Sequence, residues 1–331
     1  MKAFETKKTS IFLSLVIFAI ILAFVFNPET YMQSTLNGIL IWCTAVLPAL
    51  FPFFFLTKLL TSLNLVQQIS QIFKPITTKL FNVPGVSSYV FLMSVISGYP
   101  VGAKLISELY TTGQISRSEA TRMSSFCSTS GPLFILGTVG SELFLCRGAG
   151  LIMLASHILG AFLNGLLYRK YKLKENDYAQ TKIKKEEKID NILGATIYDS
   201  VISILIVGGY VALFFMIIDV LTNFHILSFF SEFFNRIFEL FGICDDVGRG
   251  VSSGIIEVTR GCVDLSTSGA TIKTLTILAT ALISWGGFSI HFQALTFLQK
   301  SKIKVSVYFL QKFTHSILSM LVAVVLSLIF L

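Results

Sequence analysis

Charge is scarce in this chain: 13% of its 331 residues are Asp, Glu, Lys or Arg, whereas 53% are hydrophobic. A soluble protein of this length needs more polar surface, so a water-exposed globular domain is excluded. Cysteine is sparse too. Cys43, Cys127, Cys146, Cys244 and Cys262 are scattered, with no C-x-x-C pair and no histidine nearby. That pattern argues against a disulfide framework or a metal site. The apolar blocks lack the period-2 alternation of an outer-membrane barrel. Neither H-E-x-x-H nor G-x-S-x-G occurs, so no intramembrane hydrolase is indicated. A phosphate loop from Gly98 to Lys104 fails as well, because Ala103 stands where glycine is needed and Leu105 where Ser or Thr is needed. The sequence therefore predicts neither an enzyme nor a bound cofactor. The net charge of +8 comes from basic residues in short flanks between apolar blocks. In a membrane protein such flanks report orientation, so nucleic acid is not an expected partner.

What is abundant is uninterrupted apolar sequence, in blocks such as 11–26, 36–60, 195–221 and 305–331, with 31 Phe in the chain. Blocks of about 20 apolar residues match the hydrocarbon core, where a helix satisfies every backbone group. The expected fold is all-α and polytopic in a lipid bilayer. About seven full spans are expected, near 10–26, 34–60, 121–141, 149–168, 195–221, 274–298 and 305–331. The stretches 85–112 and 244–268 are interrupted by Gly, Pro and charge and read as re-entrant hairpins. The segments 64–82 and 224–241 are amphipathic and suit the interface. Lys2, Lys7 and Lys8 precede the first block, and no small-x-small cleavage motif follows it. It reads as an uncleaved span with a cytoplasmic N-terminus. Arg169, Lys170, Lys172, Lys174, Lys182, Lys184, Lys185 and Lys188 place the loop 169–190 in the cytoplasm. The charge count then requires 85–112 to enter and leave from the cytoplasm, and 244–268 from outside.

The chain also aligns with itself at an offset of 156. SGYPVGAKLISELYTTG (97–113) lies on SGIIEVTRGCVDLSTSG (253–269), and the match runs on to Gly131 and Gly287. Ser97/Ser253, Gly98/Gly254, Leu109/Leu265, Thr111/Thr267, Gly113/Gly269, Ser128/Ser284 and Gly131/Gly287 are identical. These are seven pairs in 35 positions, where chance gives roughly two or three. Each half would hold an odd number of crossings, so the repeat is expected to be inverted. The expected divisions are an N-terminal helix 1–30, a first repeat 31–168, a charged loop 169–191 and a second repeat 192–331. Inverted repeats with broken helices build secondary transporters, whose substrate sits where the breaks meet.

The motifs SGYPVGAK, FCSTSGPLF, IIEVTRG and WGGFSIHFQA resemble those of the sporulation integral membrane protein YlbJ family. That family carries a nucleoside-recognition gate domain, shared in outline with concentrative nucleoside transporters and the membrane part of FeoB. The resemblance covers about 34 to 325. It implies a multi-pass protein of the bacterial cell membrane, in the outer forespore membrane of sporulating cells. It also implies dipicolinate as the solute. A homo-oligomer is compatible with it.

Site candidates cluster at the four interruptions. Ser97, Gly98 and Tyr99 mark the first hairpin, with Lys104 beyond, and Arg260 is the counterpart of Lys104 in the second. A Ser-Gly break is expected to open each second half-helix, whose free N–H groups and dipole suit an anion. Two cations related by pseudo-symmetry fit a small dianion. The alternative is an ion pair with Glu108 and Asp264, four residues on. Glu257 has no acidic counterpart in the first half, so it either carries a coupling proton or Na⁺, or pairs with Arg260. Ser128, Thr129, Ser130 and Gly131 interrupt the first broken helix; Ser284, Trp285, Gly286, Gly287 and Ser289 interrupt the second. Such breaks either free backbone groups for a ligand or let helices approach closely. Tyr99 and Trp285 either stack on an aromatic ligand or pack. His157, His291 and His315 read as bonding neighbouring helices. Transport of a small anion is the leading function, ahead of a sporulation scaffold or ligand sensor and of a nucleoside carrier.

Overall fold

A computed structural model describes residues 7–62, 65–172 and 192–331. Lys2, and the basic run from Lys174 to Lys188 in the expected cytoplasmic loop, lie outside them. The described chain is helical, without strands among those residues. Helix α1 is Lys7–Phe26 and α2 is Pro28–Ile41, with Pro28 at the first turn, where its missing N–H costs nothing. A π-helical turn, Trp42–Val46, joins α2 to α3 (Leu47–Ser62). Then follow α4 (Leu65–Phe81), α5 (Val86–Ser97), α6 (Val101–Thr111) and α7 (Arg117–Ser124). A π-helix, Leu133–Leu143, precedes α8 (Arg147–Tyr168). The second half runs α9 (Ile192–Asn223), α10 (Ile226–Glu239), α11 (Val247–Ile256), α12 (Val258–Ser266), α13 (Ile272–Trp285), α14 (Gly287–Leu298) and α15 (Val305–Phe330).

The halves share one element order: a long helix, an amphipathic helix, a hairpin, a broken helix and a closing helix. Both expected hairpins are present, as α5 folding back through α6 and α11 through α12. By length and composition, four stretches are able to cross a bilayer: Arg147–Tyr168, Leu193–Asn223, Ile272–Ser301 and Val305–Phe330. Two pairs bent by 105° and 91° raise the number to six if each is one span. The expected span 121–141 is divided between the eight residues of α7 and eleven of π-helix, with unwound chain between them.

The surface explains the solvent. Leu15, Phe18 and Val25 on α1, and Leu321, Val325 and Leu328 on α15, all point outward and are more than half exposed. An apolar belt of that extent is tolerated in lipid, not in water. On α10, Phe229, Phe230 and Phe233 are exposed while Leu227 is buried, which leaves one apolar face open. Inside, Phe81 stacks on Phe126 at 4.4 Å and meets Phe162 edge-on at 5.2 Å, fixing the first break against α4 and α8. A second apolar cluster of Val251, Val258, Leu265, Leu278 and Leu282 seats the second hairpin on α13.

Candidate functional site

The first hairpin turns at Gly98 (φ +78°), followed by Tyr99 and a cis peptide to Pro100. Its tip lies on the first helix break. A Cβ on Gly98 would stand 2.6 Å from the Gly131 nitrogen, so only glycine allows the approach. Around that contact, the Thr129 N–H donates to the Ser94 hydroxyl at 3.1 Å, and the two side chains are 2.7 Å apart. Ser97 is buried nearby, its hydroxyl without a partner. Behind the tip, a Cβ on Gly102 would lie 1.7 Å from the Cys127 carbonyl oxygen.

The second hairpin turns elsewhere than expected. Ser253 and Gly254 lie inside α11, and the break falls at Glu257, in extended conformation (φ −141°, ψ 119°). Gly254 serves packing instead: a Cβ on Gly261 would stand 2.2 Å from the Gly254 Cα, so the arms touch there. Glu257 caps α12, accepting the Arg260 N–H at 2.8 Å and the Thr259 hydroxyl at 3.2 Å. It bonds the backbone of Arg260, whose guanidinium pairs with other acids. The tip meets the second break, since a Cβ on Gly287 would be 3.0 Å from the Ile256 carbonyl oxygen. Trp285 donates its indole N–H to the Ile255 carbonyl at 3.1 Å, which holds it to the hairpin. The second break is narrow, with Gly286 and Gly287 at positive φ and Ser289 buried within α14, bonded to Gln293 at 3.2 Å.

His157 on α8 ties the two breaks together. Its Nε2 accepts the Ser130 N–H at 2.8 Å and its Nδ1 lies 2.8 Å from the Ser284 hydroxyl. A backbone N–H can only donate, so the neutral ring carries its proton on Nδ1 and gives it to Ser284. Ser128, Thr129, Ser130, Gly131 and Tyr99 thus converge with Ser284 on one buried centre. Tyr99 reaches across the halves to the Ile283 carbonyl at 3.3 Å.

The centre also holds a residue that the sequence reading missed. Lys312 on α15 is 1% exposed, and its ammonium donates to the Tyr99 hydroxyl at 2.5 Å and the Ser128 carbonyl at 3.0 Å. It lies 3.3 Å from His315 Nδ1 and sits over the Tyr99 ring at 4.6 Å from the centroid. Among the described residues, none of its contacts is a carboxylate. Tyr308, Lys312 and His315 stand at i, i+4 and i+7, on one face of α15. That run was the available signal: a lysine inside an apolar span is a functional candidate by default. His291 on α14 adds a fully buried ring with both nitrogens unpartnered, walled by Trp285 at 4.3 Å and Phe309 at 4.7 Å.

Lys104 and Arg260 are not brought together. Lys104 donates to Ser203 at 2.8 Å and lies over Phe54. Arg260 pairs with Asp264 at 3.4 Å and Asp219 at 3.7 Å. Ser203 and Asp219 are both on α9, about 24 Å apart along its axis. Arg260 therefore combines the expected i,i+4 pair with a second acid, Asp219. Among the described residues, no group of three or more His, Cys, Asp or Glu could hold a metal ion.

With this geometry, the likeness to known proteins is informative. Residues 43–143 match the Gate family, described as nucleoside recognition. The chain is 28% identical over 310 residues to the sporulation integral membrane protein YlbJ of Bacillus subtilis (strain 168), covering 88% of this chain and 76% of that protein. An asparagine-to-leucine variant of CNTnw in its intermediate 3 state superposes with a TM-score of 0.59 at 14% identity, over 98% of this chain and 86% of that one. A double variant of CNTnw in an outward-facing state gives 0.53 at 16% identity, over 97% and 84%. The chain thus reads as an integral membrane protein, with four helices long and apolar enough to cross a bilayer among the described residues, and it shares the fold of CNTnw, has a Gate match in its first half and YlbJ-like sequence through most of its length.

Proposed function

We propose that this protein is a secondary transporter for a small anionic solute, bound where the hairpin tips meet the helix breaks. The observation that carries the reading is the buried ammonium of Lys312, joined to both the tip and the break of the first half, with no acidic partner among the described residues. An uncompensated charge in a low-dielectric interior is costly, and an anionic solute would offset it. In this reading Ser97, Gly98, Tyr99, Ser128, Thr129, Ser130, Gly131, Glu257, Gly287 and Ser289 surround the solute. Lys104 and Arg260 act further out, along its route. The shared element order supports two halves and the four-part division of the chain, and the basic flanks support their inverted orientation and a cytoplasmic N-terminus.

The resemblance to YlbJ makes dipicolinate the first solute to test and the outer forespore membrane the first place to look. Uptake of labelled dipicolinate into proteoliposomes, with nucleosides as competitors, tests both substrate and class. Saturable dipicolinate uptake that nucleosides do not inhibit supports the reading; uptake of nucleoside alone overturns it. The nucleoside alternative is favoured by the Gate match over residues 43–143, and the competition arm decides between the two.

A further inference from the structure

Each hydrogen-bond partner of Lys312 is obliged to accept. The Ser128 carbonyl has no proton to give. The Tyr99 hydroxyl directs its proton to the Ile283 carbonyl. His315 donates Nε2–H to the His157 carbonyl at 3.1 Å, which leaves a lone pair on Nδ1. Three acceptors call for three N–H groups, and only the ammonium form of lysine supplies them. A neutral amine would set its lone pair against one of the three. The contact between hairpin tip and helix break is therefore complete only while Lys312 holds its proton.

We infer that Lys312 is the group that links this protein to protons, a protonation latch pinning the first hairpin tip to the first break. This deepens the transport reading by naming the proton as coupling ion. On release, one N–H bond of the ammonium breaks and its electron pair stays on Nζ. The proton passes to Nδ1 of His315, forming an imidazolium that gives it to water once the tip lifts. The titratable groups around Lys312 are Tyr99 on the tip, His157 on α8, and Tyr308 and His315 on α15, with His291 on α14 beyond Tyr308. On α7, which also packs on α15, Glu119 is bonded to Ser116, Arg122 to the Asn82 and Tyr171 carbonyls, and Arg117 stands at the N-terminus. On α13 the charged residue is Lys273, in the first turn, at the far end from Ser284. No carboxylate faces Lys312 from these elements, so the proton is the charge that can change.

Hydrogen exchange in nanodiscs tests this without a substrate. Wild type, K312R and K312M are compared at about pH 6 and about pH 11, either side of the ordinary lysine value of about 10.4, after correction for intrinsic rates. In wild type, the amides of Gly98, Thr129 and Ser130 should exchange roughly ten- to a hundredfold faster at the higher pH, the equivalent of one charged hydrogen bond. K312R should stay protected at both, because a guanidinium keeps its proton, and K312M should exchange fast at both. Equal protection of wild type at the two pH values, or a K312R profile that follows wild type, overturns the latch. Failed dipicolinate uptake with the exchange pattern intact removes the transport reading and leaves the latch standing.

Discussion

His157 hydrogen-bonds both helix breaks, and replacing it gives a sharp test of how the centre is held. His157→Phe keeps a planar ring, slightly larger than imidazole, and removes both hydrogen bonds, to the Ser130 N–H and the Ser284 hydroxyl. The two losses are unequal. Ser284 lies in α13 and can turn its hydroxyl to a carbonyl one turn back. The Ser130 N–H sits in unwound, buried chain and has no substitute. Leaving such a donor unsatisfied costs about 2 kcal/mol, and at about 1–2 °C per kcal/mol for a chain of this size the melting temperature should fall by roughly 2–4 °C. His157→Gln should recover most of that, since its carbonyl can accept from Ser130 while its amide donates to Ser284. Differential scanning fluorimetry of purified protein in one detergent, at one scan rate, measures all three forms. A His157→Phe protein that melts with wild type, or a glutamine variant no better than phenylalanine, would refute the bridging role. Adding Ser284→Ala to His157→Phe should cost less than the sum of the single changes, because the variants share one interaction.

Gly102→Ala places a Cβ on the Cys127 carbonyl, where neither backbone can yield. It should cost about 3 kcal/mol or more, seen as loss of the monodisperse peak in fluorescence-detected size exclusion. Tyr99→Phe strands one N–H of Lys312 and the Ile283 carbonyl, and should lower stability by about 1–3 kcal/mol in the same melting assay. Glu257→Gln retains an oxygen for the Arg260 N–H and should melt like wild type, whereas Glu257→Ala loses the cap at about 1 kcal/mol. Uptake lost in the glutamine variant despite an unchanged melt would assign the carboxylate charge a transport role. Asp219→Asn should change stability by less than about 1 kcal/mol, because the pair is part-exposed and Arg260 keeps Asp264; a larger drop in melting temperature would contradict that.

The architecture was readable to the extent that it rests on apolar length and its interruption. Both hairpins, both amphipathic helices and both broken helices stand where the sequence placed them, because Gly, Pro and clustered Ser disrupt a helix by local chemistry. The second turn was misplaced by three residues for a related reason. A Ser-Gly pair permits a turn and permits close packing equally, and at Gly254 the facing Gly261 decides for packing. The site was harder. Lys104 and Arg260 attracted attention as cations aligned with each other, yet they contact α9 at Ser203 and Asp219, far apart along it, and a self-alignment carries no information about a third helix. Lys312 lies outside the self-aligned stretches 97–131 and 253–287 and was masked by the apolar run around it, although its face with Tyr308 and His315 was legible as a helical stripe.

Why a polar centre should organise so apolar a protein follows from its solvent. Lipid tails are as apolar as leucine, so burying leucine does little to hold one membrane helix against another. Close backbone packing and interhelical hydrogen bonds must do it. Here α8 and α15 approach until a Cβ on Gly160 would overlap the Ser319 hydroxyl at 2.0 Å. The same two helices present His157 and His315, whose rings lie 4.8 Å apart. The small-residue stripe brings the helices close enough for His157 to span both breaks, and the hydrogen bonds then fix register, which small residues alone leave free to slide. Lys312 extends this to the hairpin, through one charge and three acceptors. The α8–α15 pair is thereby fixed by packing, whereas in the proposed latch one of the bonds that hold the hairpin tip, from Lys312 to Tyr99, depends on a proton. Such an arrangement allows the tip to move while its support stays still.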